Sequence, residues 1–171
     1  MRTVADMELA VDSPLAAYRA AYLAEDMDAL MATMRPDVVL HSPITDAFAF
    51  RGQDQLRALL EDVHAVVSDT VYDLDVGDDR TRVLRLSARV GRQRFEETLV
   101  MELDDEGLIA SMQLFIRPMP GIAALAAALG PRVARRRSRT RAVLVRLMIG
   151  PLAFMTRSGD GTAARLASPR A

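Results

Sequence analysis

The stretch that most constrains the fold is RFEETLVMEL, Arg94 to Leu103, because it alternates between apolar and polar residues. In a β-strand successive side chains point to opposite faces, so Phe95, Leu99, Met101 and Leu103 share one side while Arg94, Glu96, Thr98 and Glu102 share the other. A strand of this kind has one face in water and one against a core. Glu97 breaks the pattern by falling on the apolar side, where an ionised carboxylate is costly unless it is paired, hydrated or used.

The rest of the chain supplies cover for that face. Ser13 and Pro14 open a helix that runs through LAAYRAAYLA to about Ala24 and puts Tyr18 and Tyr22 on one side. Asp26 caps a second, short helix, MDALMATM, which Arg35-Pro36 ends. A strand is expected from Asp37 to Ser42, stopped by Pro43, and ITDAFAFRG reads as a loop. A third helix follows from about Gln53 to Val67, with Leu56, Leu59, Leu60 and Val63 at spacings of three and four. Four strands then succeed one another across legible turns, over Thr70 to Val76, Arg82 to Val90, Arg94 to Leu103 and Leu108 to Arg117. The order implies an α+β architecture, with helices on one face of a curved, mainly antiparallel sheet.

At 171 residues the chain suffices for one domain with some residues left over. It has no cysteine, which excludes disulfides, thiolate catalysis and cysteine metal sites, and two histidines, His41 and His64, make a histidine-rich metal site unexpected. The start shows no signal-peptide pattern and no long uncharged apolar run follows, so a cytoplasmic protein is expected. Charge is divided: 12 Arg stand against 22 Asp plus Glu up to Arg117, and 10 Arg against one Asp from Met119 onward.

The element order, the segment RPDVVLHSP after two helices and LDDEGLIASMQLFIRP at the end of the meander resemble the nuclear transport factor 2-like superfamily, in particular its SnoaL-like and ketosteroid isomerase-like branch. The resemblance covers about residues 13–118 and includes the Phe-Arg-Gly entry to the third helix. It implies a cone-shaped, cystatin-like α+β fold whose sheet and helices enclose a hydrophobic cavity, commonly as a homodimer through the sheet. The superfamily includes isomerases, polyketide cyclases, epoxide hydrolases and non-enzymatic binders, so the fold alone names no reaction. Against the isomerase pattern, Tyr18 matches the first-helix tyrosine, but the general-base position falls on Ser42 and the protonated-acid position on Leu99. That disfavours ketosteroid isomerase chemistry in its family form, unless Asp46 swings in from the loop as a substitute.

Glu97 is the principal acid-base candidate, with Tyr18 as polarising donor and Asp46 as a further candidate. The alternatives are a Glu97 that reaches water or is turned outward by a bulge, a core Tyr18, and a turn residue at Asp46. The expected pocket is ringed by Tyr18, Leu40, Ser42, Leu59, Phe95, Glu97, Leu99 and Met112 and takes a small hydrophobic molecule, with no cofactor or metal. Ser42 has the alternative of bonding its own turn, while His41 is expected on the outer face and His64 at a rim. The chain is thus either an acid-base isomerase, cyclase or hydratase or a non-catalytic binding or interaction module.

Residues 1–12 read as a leader and 119–156 as a basic, apolar helical extension, with one helix ended by Gly130-Pro131. That extension closes the cone or packs on a subunit; contact with a membrane surface is the alternative, and no nucleic-acid partner is expected. Residues 157–171 read as a disordered tail.

Overall fold

The computed structural model describes residues 13–167; the expected leader and residues 168–171 lie outside them. The elements are α1 (Ala16–Leu23), α2 (Met27–Ala32), β1 (Met34–His41), β2 (Ala49–Arg51), α3 (Gln53–His64), β3 (Val67–Gly77), β4 (Thr81–Val90), β5 (Gln93–Leu103), β6 (Ile109–Arg117), α4 (Met119–Arg135) and α5 (Arg139–Ala167). The six strands form one sheet in the order β2-β1-β6-β5-β4-β3, antiparallel except for β1 beside β6. The alternation in β5 is realised: Phe95, Leu99, Met101 and Leu103 are buried against α1, α2 and α3 in one cluster with Leu30, Leu56, Leu84, Ile109 and Met112.

Local chemistry sets the boundaries. Asp26 caps α2 by accepting from the Ala29 amide at 3.0 Å. Gln53, at the start of α3, donates to the carbonyls of Met31 and Met34 at 3.0 and 2.8 Å, which ties α3 to the end of α2 and the start of β1. Ser13 closes the turn into α1, its hydroxyl accepting from the Leu15 amide at 3.1 Å.

Several expectations need correction. β1 begins at Met34, not Asp37, and contains Pro36, which is tolerated because the β1–β6 register shifts between Met34 and Val39 and leaves Pro36 off the ladder. Within the stretch read as a loop, Ala49–Arg51 forms a short strand paired with Val39, Leu40 and His41. α4 does not stop at Gly130-Pro131 but continues to Arg135. Gly130 is where α5 approaches closely: a Cβ there would lie 3.1 Å from Val145 and 3.4 Å from Ile149. Packing of this helical hairpin offsets the backbone hydrogen bond that Pro131 cannot make. α5 continues as helix to Ala167, where irregular chain was expected.

α4 lies across the inner sheet face at the Phe95 end, burying Pro120, Gly121, Ala123, Leu125 and Ala126. Arg136 fastens the end of this helix to α3, donating to Asp62 at 2.8 Å and to the Ala58 carbonyl at 2.6 Å. Gly121 is the point of closest approach, because a Cβ there would sit 2.6 Å from the Phe95 Cβ and 3.2 Å from the Arg94 carbonyl oxygen. Gly121→Ala is therefore expected to lower stability in urea by about 1–3 kcal/mol through overpacking, although the same change at an open helical site raises it by up to about 1 kcal/mol. An unchanged or raised unfolding midpoint would contradict the seating of α4 on Phe95.

Candidate functional site

The strand registers place one row of side chains across the inner face. Tyr72 on β3 stands opposite Leu86 on β4, Leu86 opposite Glu97 on β5, and Glu97 opposite Ile116 on β6. With about 4.8 Å between neighbouring strands, the backbones of Tyr72 and Glu97 are roughly 10 Å apart, a span that two inward side chains can share. The β4–β5 pairing runs without a bulge through Glu97, so the carboxylate stays on the apolar face.

α1 lies over this row. Tyr18 and Tyr22, one helical turn apart, are both buried and stack with ring centroids 6.3 Å apart; Tyr22 meets the edge of Tyr72 at 6.1 Å and the ring of His64 at 4.5 Å. His64 Nε2 donates to the Tyr22 carbonyl at 3.1 Å. The His64 Nδ1 is buried with no hydrogen-bond partner among the described residues, while the Tyr72 hydroxyl lies against the Tyr18 hydroxyl and shares a hydrogen bond with it. One orphaned imidazole nitrogen, a hydrogen-bonded pair of phenols and a carboxylate form an incompletely satisfied polar island between the helices and the inner sheet face.

Electrostatics follow from burial. Glu97 is half-buried, and desolvation raises its pKa from its ordinary value to about 7, with no cation among the described residues to counter it. The tyrosines shift the same way: burial holds Tyr18, Tyr22 and Tyr72 far above the usual phenol range, and the Glu97 carboxylate adds to this in each case. Near neutrality the cluster therefore holds a carboxyl poised between its two forms beside phenols that remain protonated.

The same face carries an ionic group that the sequence reading missed. Asp75, fully buried at its side chain, accepts from Arg82 at 2.6 Å and from Arg19 on α1. Arg82 shares the parity of Leu84 and Leu86, and a register shift between Tyr72 and Leu74 turns Asp75 to the same side as Tyr72. This pair of arginines satisfies Asp75 and fastens α1 to the β3–β4 hairpin.

The remaining candidates are distributed as follows. Tyr18, Leu40, Leu59, Phe95, Leu99 and Met112 all belong to the buried cluster, with Glu97 in the same inner row. Ser42 is spent on its own turn, accepting from the Ile44 amide at 3.2 Å. Asp46 is exposed in the loop between β1 and β2, and no hydrogen bond among the described residues links it to Tyr18 or Glu97. His41 is exposed and lines a cleft of about 310 Å³ on the outer sheet face with Val39, Arg51, Val100, Glu102, Ser111 and Gln113. A second cleft, about 440 Å³, opens beside Arg89, Glu96 and Pro118, and neither cleft contains Glu97. Among the described residues no group of three or more His, Asp or Glu is placed to hold a metal.

Residues 15–112 match the model of the SnoaL-like domain, more than half of the chain, and the protein belongs to that family. Among solved structures it is similar to a steroid delta-isomerase from Pseudomonas aeruginosa, with 27% identity over 80% of this chain and 98% of that one and a TM-score of 0.63. A cystatin-like-fold protein from Silicibacter pomeroyi shares 23% identity over 78% of this chain and 92% of that one, at a TM-score of 0.66. An LEH-like epoxide hydrolase from M. tuberculosis shares 20% identity over 71% and 93%, at 0.51. No curated protein matches the chain. The expected nuclear transport factor 2-like, cystatin-like α+β fold is thereby established.

Desolvation of the half-buried Glu97 makes stability depend on pH in a defined direction. The folded chain holds this proton up to about pH 7, whereas an unperturbed glutamate releases it near 4.5. Between those values the folded state binds more protons, so stability falls as pH rises through that window and levels off above it. Glu97→Gln is expected to remove that fall, leaving the variant more stable than wild type by on the order of 3 kcal/mol above pH 8 and nearly equal to it at pH 4.5. Urea titrations at the two pH values test this; a variant less stable than wild type at pH 8 would mean the carboxylate is paired.

Proposed function

We propose that this SnoaL-like protein binds a small hydrophobic molecule against the inner sheet face and acts on it by cofactor-independent acid-base chemistry, with Glu97 as the proton carrier. The observation that carries this reading is the unpaired carboxyl of Glu97 on the apolar sheet face, desolvated to a pKa of about 7 and in one cross-strand row with Tyr72. Such a group has the protonation behaviour of a general base or acid at neutral pH. As a base it would take a proton from a carbon next to a carbonyl. The C–H electron pair would then move toward the carbonyl oxygen, where a neutral tyrosine hydroxyl, Tyr18 or Tyr72, would donate to the developing charge. Return of the proton from Glu97 to a different carbon completes an isomerisation, and return to the same chain after ring closure completes a cyclisation. Similarity to a steroid delta-isomerase supports a rigid, largely apolar substrate.

Departure from the isomerase arrangement is informative here. The position at which the family places its base is Ser42, which is occupied with its turn, so the proton carrier moves from the end of β1 to the middle of β5. Asp46, exposed in the loop that follows, would take part only if that loop folded inward. Residues Leu40, Leu59, Phe95, Leu99 and Met112 are tightly packed, so entry of a ligand requires displacement of α4 from the Phe95 end. The family's dimeric habit is consistent with the apolar exposure of Val71 and Phe115 on the outer sheet face, 57% and 52%.

Turnover of a β,γ-unsaturated ketosteroid, followed by absorbance of the conjugated product, tests the reaction class directly. Wild type is expected to gain activity as pH rises through 7, and Glu97→Gln to lose on the order of a hundredfold or more in kcat with KM little changed. A Glu97→Gln protein that keeps its rate contradicts the assignment. If neither protein turns the steroid over and native mass spectrometry of fresh wild type also shows no bound small molecule, the non-catalytic interaction module becomes the better account.

A further inference from the structure

We propose that the outer face of α5 docks on an anionic lipid bilayer. α5 packs chiefly on α4, through Val145 and Ile149 against Gly130, and forms a third layer beyond the sheet and α4. On the side turned away from α4 it leaves Leu147, Met148, Phe154 and Met155 between 63% and 70% exposed, with Val143, Leu144 and Leu152 more than half exposed. At about 100° per residue, Leu144, Leu147, Met148 and Met155 fall within one narrow arc, so the exposure is a continuous stripe and not a scatter of single residues. A stripe of this size on a water-facing helix calls for an apolar neighbour.

Charge decides which neighbour. Residues 119–156 contain seven arginines and no acidic residue. Arg132 and Arg136 are committed to Asp62 and Glu61 on α3. Arg135, Arg137, Arg139, Arg141 and Arg146 are exposed and form no ion pair among the described residues. Arg141 stands at one edge of the apolar arc, beside Met148, and Arg139 and Arg146 lie together on the other side, past Val143. An apolar stripe edged by free cations fits the boundary between acyl chains and anionic headgroups, where the stripe enters the hydrocarbon and the guanidinium groups bind phosphate. A second copy of α5 fits less well, since facing two such helices would set these arginines against their own counterparts. The helices of the described chain include none long and apolar enough to cross a membrane, so the contact is a surface one.

Co-sedimentation of the full-length chain with phosphatidylcholine vesicles containing about a quarter phosphatidylglycerol tests the proposal, with pure phosphatidylcholine vesicles as control. Binding is expected to the mixed vesicles alone and to weaken at high salt. Arg139→Gln, Arg141→Gln and Arg146→Gln together should weaken it about a hundredfold, near fivefold per charge. Leu144→Ser, Leu147→Ser and Met148→Ser together should abolish it; these positions are exposed, and circular dichroism will show that both variants keep their helix content. Equal binding to neutral vesicles, or no binding to either, would overturn the proposal. So would a full-length dimer that ignores vesicles and is split by the three serine substitutions, because the stripe would then be a face between copies.

Discussion

An unpaired carboxyl on the apolar side of β5 is the constraint on which the functional reading depends. A strand in the middle of a sheet cannot turn one residue outward without a bulge, and β4 and β5 pair without one through Glu97. The carboxyl must therefore be accommodated inside, and the chain places a phenol, not a cation, in its row. Cations were within the chain's means, since Arg19 and Arg82 stand on the same inner face and neutralise Asp75. Two acids on one sheet face thus receive opposite treatment. Asp75 is held between arginines and fixes the fold, while Glu97 is left without one and its pKa rises into the range useful for proton transfer.

Closure of the cone is the second element of the account. α4 seats a small-residue face on Phe95, and Gly121 permits the backbone to come close enough to shut that end. Proton transfer benefits from such exclusion of water, because a desolvated carboxyl is a stronger base and tyrosine donors act more strongly in a medium of low polarity. The same closure explains why the residues expected to ring a cavity are packed together in the core. α5 then covers α4 on one side only, so the hairpin that lies over the Phe95 end also carries five exposed arginines with no ion pair among the described residues.

Much of this was legible in the sequence because it rests on periodicity. Alternation in RFEETLVMEL fixed the inner face and singled out Glu97; spacings of three and four located α3; turn residues separated the last four strands. What escaped notice depended on register. A shift between Tyr72 and Leu74 decides that Tyr72 and Asp75, three residues apart, both face inward, and no local pattern announces it. Pro36 read as a stop because its place off the ladder depends on β6, far along the chain. Pro131 read as a helix end because the packing of α5 on α4 that keeps the helix going is likewise tertiary. Tyr72 and His64, the further members of the cluster, could have been found only by asking which residues lie opposite Leu86 and which pack on Tyr22.

The most direct measurement of the central claim is the titration of the Glu97 carboxyl itself, by carbon-13 NMR of glutamate-labelled protein with the Glu97→Gln variant used to assign its resonance. The account requires a midpoint near 7, well above the ordinary glutamate value, moving upward in a variant that buries the group further and reporting a neutral carboxylic acid at mildly acid pH. A midpoint at the ordinary value near 4.5 would show that the carboxyl is hydrated or paired, and Glu97 would then be a solvated residue of the sheet with no claim to proton transfer.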